Sequence, residues 1–196
     1  MPLVNTPSLI ALARSGFVVS FPTDTVPALA VLPGQGEQIY RLKQRPQHKP
    51  LILMAATWTE LQPYLEGRHP AWEKAVSDYL PGALTIVLPA SPLGRSLNQT
   101  DTIGIRIPAF PIALNILQQT GPLLTTSANL SGTDPLPSMR AIAATFPSVF
   151  AWGEGEPDRV FGSGKPSTVV KWEQNQWQIL RQGEVKLAEQ TTEIDG

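Results

Sequence analysis

The stretch PIALNILQQTGPLLTTSANLSG, residues 111–132, decides the fold class. Pro111 to Gln119 reads as a helix that stops at Gly121, and Leu123 to Thr126 as a short strand directly behind it. Ser127-Ala128-Asn129-Leu130-Ser131-Gly132 follows at once. In open α/β sheets ligands gather beyond the carboxyl ends of strands. Hydroxyls and an amide placed there can bind a substrate without adding charge. The same six residues also read as an ordinary polar turn closed by Gly132, and the segment alone does not choose between the two.

The alternation continues in both directions. Towards the N-terminus, Asn5 to Arg14 reads as a helix with Pro7 near its first turn and Gly16 past its end. Phe17 to Phe21 and Pro27 to Leu32 read as strands, stopped by Pro22 and by Pro33-Gly34. Glu37 to Gln44 reads as a helix, Leu51 to Ala55 as a buried strand, and Thr57 to Leu65 and Ala71 to Leu80 as helices. Thr85 to Leu88 and Thr102 to Ile107 read as strands. Towards the C-terminus, Ser138 to Phe146 reads as a helix with Ser138 as its N-cap. Ser167 to Trp172 and Gln176 to Leu180 read as a hairpin around Glu173-Gln174-Asn175. Strands alternating with helices predict an α/β class. The closing strands have no helix between them, which predicts a mixed sheet. One domain over residues 1–186 and a polar tail over 187–196 account for the chain.

Composition narrows the chemistry. Of 196 residues, 42% are apolar and 16% charged, with a net charge of -1. That length suffices for one substantial core. The charge gives no global argument for nucleic acid, so any polyanion must be met by a local patch. No apolar run approaches the roughly 20 residues needed to span a bilayer. The N-terminus lacks the basic region of a signal peptide, so no membrane partner is expected and the cytoplasm is the expected compartment. The sequence has no cysteine, which excludes thiolate catalysis, disulfides and cysteine-ligated zinc. Two histidines, His48 and His69, leave no multi-histidine metal site.

Familiar nucleotide and hydrolase motifs fail. Gly162-Ser163-Gly164-Lys165 invites a phosphate-loop reading, but Arg159 stands where the first glycine is needed and Pro166 where Ser or Thr is needed. The segment also runs into a strand instead of a helix, so the expected cradle of N–H groups is missing. Ser127 lacks the G-x-S-x-G context of a serine hydrolase, and no G-x-G-x-x-G follows a strand.

Three further clusters remain. Arg41, Lys43, Arg45 and Lys49 put four of the fifteen lysines and arginines within nine positions, with Lys43 and Arg45 where a helix stops at Pro46. They read either as a solvated helix end matching the negative end of the dipole or as a phosphate clamp joining a planar fork to a mobile point charge. Phe21-Pro22-Thr23-Asp24-Thr25 again places polar groups at a strand's end. Arg106 lies on or beside a strand amid apolar neighbours and needs an anionic partner. A structural Asp or a substrate carboxylate supplies it equally well.

Taken in order, Pro22-Thr23-Asp24-Thr25, Lys43-Gln44-Arg45-Pro46, Lys49-Pro50-Leu51, Pro81-Gly82-Ala83-Leu84-Thr85, Arg106-Ile107-Pro108 and Ser127 to Gly132 resemble the YrdC-like threonylcarbamoyl-AMP synthase family in its short bacterial form. Ser167-Thr168-Val169-Val170 and Leu180-Arg181-Gln182-Gly183 resemble its closing hairpin. The resemblance covers Asn5 to Gly183. It implies one α/β domain whose twisted mixed sheet, with flanking helices, lines a concave, positively charged cleft. It also implies synthesis of threonylcarbamoyl-AMP from L-threonine, bicarbonate or CO2 and ATP, with release of pyrophosphate. That nucleotidyltransferase step is the first in a tRNA threonylcarbamoyladenosine modification.

By the same resemblance Lys43 and Arg45 are the catalytic cations. ATP, with Mg2+ carried on it, would meet Arg45, Lys49, Thr102, Asn129, Ser138 and Arg181. Threonine would meet Thr25, Arg106, Ser127 and Ser167. The implied partners are those substrates, a downstream threonylcarbamoyl transferase complex and tRNA itself. The sequence departs from the family after Thr25. Val26-Pro27-Ala28-Leu29-Ala30 lacks the usual aromatic residue and both glycines, which predicts a reshaped wall. Met54 replaces a histidine found in longer members. These departures leave two further readings, a divergent paralogue that binds RNA or nucleotide without synthase activity and an adenylate or carbamoyl-phosphate module of another enzyme.

Overall fold

Loops that cross a broad sheet bring residues 23 to 181 into one hollow, and the order of the strands explains how. In a computed structural model, residues 3–187 are described. The strands are β1 (Leu3–Val4), β2 (Val19–Phe21), β3 (Ala28–Val31), β4 (Ile52–Met54), β5 (Leu84–Pro89), β6 (Thr102–Arg106), β7 (Leu123–Ser127), β8 (Phe150–Trp152), β9 (Thr168–Glu173) and β10 (Gln176–Arg181). They form one sheet in the order β1-β8-β2-β3-β7-β4-β6-β5-β9-β10. Pairs β1–β8, β2–β8, β4–β6 and β5–β9 are parallel and the other five antiparallel, so the sheet is mixed, as the helix-free closing strands predict.

The helices are α1 (Thr6–Arg14), α2 (Glu37–Lys43), α3 (Trp58–Leu61), α4 (Pro70–Tyr79), α5 (Pro92–Asn98), α6 (Pro111–Thr120) and α7 (Met139–Thr145). Their starts follow side-chain capping. The Asn5 side chain accepts from the Ser8 N–H at 3.0 Å, and Ser138 accepts from the Ala141 N–H at 3.3 Å. Helix α6 stops at Gly121, whose φ of 76° suits glycine, and β7 begins two residues later, so residues 111–127 fold as their sequence indicates. The β9–β10 hairpin turns on Gln174 and Asn175 with φ of 51° and 61°, both positive as a two-residue twisted hairpin turn requires.

The core lies along the middle strands. Leu84, Ile86, Leu88, Ile103, Ile105, Leu123 and Leu124 are wholly buried, and four consecutive residues of β6 are buried. Strands covered on both faces read as continuous apolar runs, which is why β3 and β6 were legible without alternation.

The structure corrects the sequence reading at four places. Thr57 to Leu65 is not one helix: α3 ends at Leu61 and a 3-10 turn spans Gln62–Tyr64, because Pro63 brings no N–H and crowds the preceding turn. Helix α5, unread in the sequence, is capped by Ser91 but carries Gly94, a poor helix former. Glycine is needed there because a Cβ would collide with the Tyr64 carbonyl oxygen. Strands β1 and β8, also unread, have two and three residues and depend on pairing with one another and with β2. The polar tail lies outside the described residues apart from Leu187.

Candidate active site

A cavity of about 290 Å3 is lined by residues from Thr23 to Arg181, including Thr25, Arg45, Arg106, Ser127, Asn129, Ser167 and Arg181. Its floor is a face of the sheet. Ile52 and Met54 of β4, Thr125 and Ser127 of β7, and Arg106 of β6 lie at alternate positions along their strands and share that face. The hollow therefore sits over the sheet, and is not confined to the crevice beyond strand ends that the class suggests.

Lys43 ends α2 and is only 1% exposed. Its ammonium donates to the Ser127 carbonyl and, at 2.9 Å, to Asn129 Oδ1. Ser127 Oγ donates to the same Asn129 oxygen at 2.6 Å, and the Asn129 amide donates to the Thr133 carbonyl. A solvated helix end is thus excluded for Lys43. Nor does it face Asn129 across open space; it holds the 127–133 loop together. Burial, with nearby Arg45 as a lesser cause, lowers its pKa to about 7.

Arg45 follows the left-handed Gln44 that ends the helix and lies on the cavity wall. Its Nε donates to the Lys49 carbonyl at 2.9 Å and one terminal nitrogen to the Pro50 carbonyl at 3.2 Å, which fixes the fork in place. Arg181, at the end of β10, clasps the Ser167 carbonyl with Nε at 3.2 Å and a terminal nitrogen at 2.8 Å. Burial lowers its pKa, and the nearby charges of Arg106 and Arg45 lower it further. Three guanidinium groups converge on one hollow, a repulsion that an anionic ligand would relieve.

Arg106 is 5% exposed and ion-paired with Asp24 at 2.7 Å. It also donates to Thr25 Oγ1 at 2.8 Å and to the Gly82 carbonyl at 3.1 Å. The structural Asp is therefore its resident partner. Three of the five guanidinium donors are engaged, which leaves two for a ligand. Burial pulls the Arg106 pKa down and Asp24 opposes that shift. Ser167 Oγ shares a 2.8 Å bond with Thr85 Oγ1, and Thr25 Oγ1 lies 3.1 Å from Thr23 Oγ1.

The structure thus brings together Thr25, Lys43, Arg45, Arg106, Ser127, Asn129, Ser167 and Arg181. It does not bring Lys49, Thr102 or Ser138 to this cavity. Lys49 is exposed and contributes its carbonyl to Arg45. Ser138 is engaged as the cap of α7. Thr102 shares the face of Arg106 but stands four residues away on β6, about 13 Å along the strand. Thr23, Asp24 and Pro166 complete the surroundings; the polar run after Phe21 was the signal for the first two, while Pro166 had none. Val26, Pro27 and Ala28, where the sequence departs from the family pattern, line the wall. Ala28 and Ala30 lie in regular β3 and neither has a positive φ, so glycine's backbone freedom is not needed there.

Known proteins resemble this chain in sequence and in fold. The Sua5/YciO/YrdC family model, described as "Telomere recombination", matches residues 11–183. A threonylcarbamoyl-AMP synthase of Hydrogenovibrio crunogenus is 31% identical over 189 residues, covering 92% of this chain and 98% of its own. The crystal structure of P. abyssi Sua5 complexed with L-threonine superposes with a TM-score of 0.81 at 28% identity. That alignment covers 91% of this chain and 54% of that one, so this chain spans about half the length of that protein. E. coli YciO superposes with a TM-score of 0.78 at 27% identity, covering 91% of this chain and 88% of that one. With its sequence matched nearly end to end and its mixed sheet reproduced, this chain belongs to the Sua5/YciO/YrdC family.

Proposed function

We propose that the chain is an L-threonylcarbamoyladenylate synthase. The observation that carries this reading is the convergence of Arg45, Arg106 and Arg181 on one cavity with the hydroxyls of Thr25, Ser127 and Ser167. That set suits a carboxylate and a phosphate chain held side by side. The two open donors of Arg106 take the threonine carboxylate, and the neighbouring hydroxyls take its polar groups. Arg45 and Arg181 take phosphate oxygens. Thr102, further along the same face, is within reach of an extended nucleotide.

In the reaction the threonine amine adds to CO2, forming a carbamate and releasing a proton to solvent. A carbamate oxygen attacks the α-phosphorus of ATP, the bond to the β-phosphate oxygen breaks, and pyrophosphate leaves. No covalent enzyme intermediate is needed, which agrees with a chain that has no cysteine. Such a step asks for positioning and for charge on the phosphoryl oxygens. Arg45 supplies that charge on the wall, and Lys43 supplies it from beneath the 127–129 loop while holding the loop in shape. Among the described residues no group of three or more His, Cys, Asp or Glu could hold a metal ion. Magnesium carried on the nucleotide would neutralise part of the phosphate charge. No described helix is long and apolar enough to cross a membrane. ATP and tRNA are met in the cytoplasm, which is the compartment this reading assigns, with a downstream threonylcarbamoyl transferase as recipient of the product.

The test is incubation of the purified chain with ATP, magnesium, bicarbonate and labelled threonine. A labelled threonylcarbamoyl-adenylate is expected; labelled threonine recovered unchanged overturns the reading.

A further inference from the structure

The failed phosphate loop, Gly162-Ser163-Gly164-Lys165, has a use. Its backbone N–H groups are turned onto the chain itself. Ser163 N–H donates to the Asp24 carbonyl at 3.0 Å and Gly164 N–H to the Thr25 carbonyl at 2.9 Å. Gly162 has a φ of 73°, and a Cβ there would overlap the Thr25 carbonyl oxygen and lie 2.7 Å from that of Thr23. No side chain fits between this segment and the turn. The contacted turn carries the cavity hydroxyls of Thr23 and Thr25 and the carboxylate paired with Arg106.

Both ends of the segment are pinned. Phe161 is 7% exposed, packed edge-on against Phe110 and Trp152 at 6.1 and 5.7 Å, with the Arg159 guanidinium 5.6 Å from its ring centre. At the other end Pro166 and Ser167 line the cavity, and Arg181 grips the Ser167 carbonyl. A segment anchored at both ends and donating two hydrogen bonds sideways sets the position of whatever it touches.

We propose that Gly162, with the N–H groups of Ser163 and Gly164, positions the Thr23–Thr25 turn for the amino-acid substrate. The sideways hydrogen bonds of the segment fall on the threonine half of the site, while its far anchor, Arg181 on the Ser167 carbonyl, borders the nucleotide half. This role rests on the synthase reading. Gly162 is a positioning residue, acting through Thr25 and the Asp24–Arg106 pair.

The test compares Gly162→Ala with Gly155→Ala. Gly155 has almost the same φ, 74°, but nothing within 4 Å of an added Cβ, so G155A carries the backbone strain without the intrusion. G162A is expected to raise the threonine KM about tenfold or more, with the ATP KM within about twofold of wild type, as sub-ångström misplacement of a substrate-orienting group would. G155A is expected to leave both near wild type. A fall in kcat with both KM values unchanged in G162A would show a merely structural glycine and overturn the proposal. Should G162A not fold, hydrogen exchange of the wild-type chain carries the test. Saturating threonine is expected to slow the Ser163 and Gly164 amides while ATP alone does not; indifference of both amides to threonine overturns the role. A wild-type chain that binds no threonine by calorimetry overturns the synthase reading and this role together. A wild-type chain that binds it, with G162A binding equally well, overturns this role alone.

Discussion

Arg106 shows how one side chain can serve structure and ligand together. Its pair with Asp24 satisfies a charge that is 5% exposed, and its remaining donors still reach the cavity. Replacing it with alanine would leave Asp24 unpaired in a part-buried place, so Arg106→Lys is the cleaner probe: it keeps the charge and loses the fork. R106K is expected to raise the threonine KM on the order of tenfold, the worth of one charged hydrogen bond, and to lower the melting temperature as the bonds to Thr25 and the Gly82 carbonyl weaken. Unchanged threonine dependence would remove Arg106 from that role. Arg45→Ala is expected to lower kcat on the order of 100-fold, as losing a preorganised transition-state donor does; steady-state rates at saturating substrates check this.

Lys43 gives a pH signature. Its folded pKa of about 7 lies below that of an ordinary lysine, so the native state binds fewer protons than the unfolded chain between those values. This group therefore destabilises the fold below pH 7, and the penalty is relieved as pH rises towards the ordinary lysine range. Phosphates bound nearby favour the charged form. ATP binding at pH 8 is expected to take up protons, measured by calorimetry in two buffers of different ionisation enthalpy. Lys43→Met is expected to abolish most of that uptake. No uptake by the wild-type chain would separate Lys43 from the phosphates.

Elements with their own signals are legible in the sequence, and elements that borrow stability from neighbours are not. Helix α6 and strand β7 carry a glycine stop and an apolar run, and both fold where the sequence places them. Strand β8 has three residues and is held between β1 and β2, a relation that no local pattern encodes. The two arginines of the basic cluster were visible as charge, but the burial of Lys43 beside them was not, because its partners Ser127 and Asn129 lie 84 and 86 residues away. Ser138 illustrates the same limit: an N-cap was legible, and its engagement with Ala141 places it off the cavity wall. Ser138→Ala is expected to cost about 1 kcal/mol in a denaturant titration and to leave the ATP KM unchanged. A raised ATP KM with no loss of stability would return Ser138 to the nucleotide.

The sheet as a single surface explains why no phosphate loop is needed. Antiparallel β3, β7 and β4 pair Ala28 with Ser127 and Thr125 with Ile52, and parallel β4 and β6 set Met54 against Arg106. Arginines arriving from a helix end, a central strand and an edge strand then meet above that floor. The sequence motifs carry these residues in order; strand pairing brings them around one cavity. Purified chain with MgATP, with threonine and bicarbonate each present or omitted, offers the decisive comparison by release of pyrophosphate. Release is expected only when threonine and bicarbonate are both present. Release that ignores threonine, or none with all three substrates, would contradict a cavity built to join them.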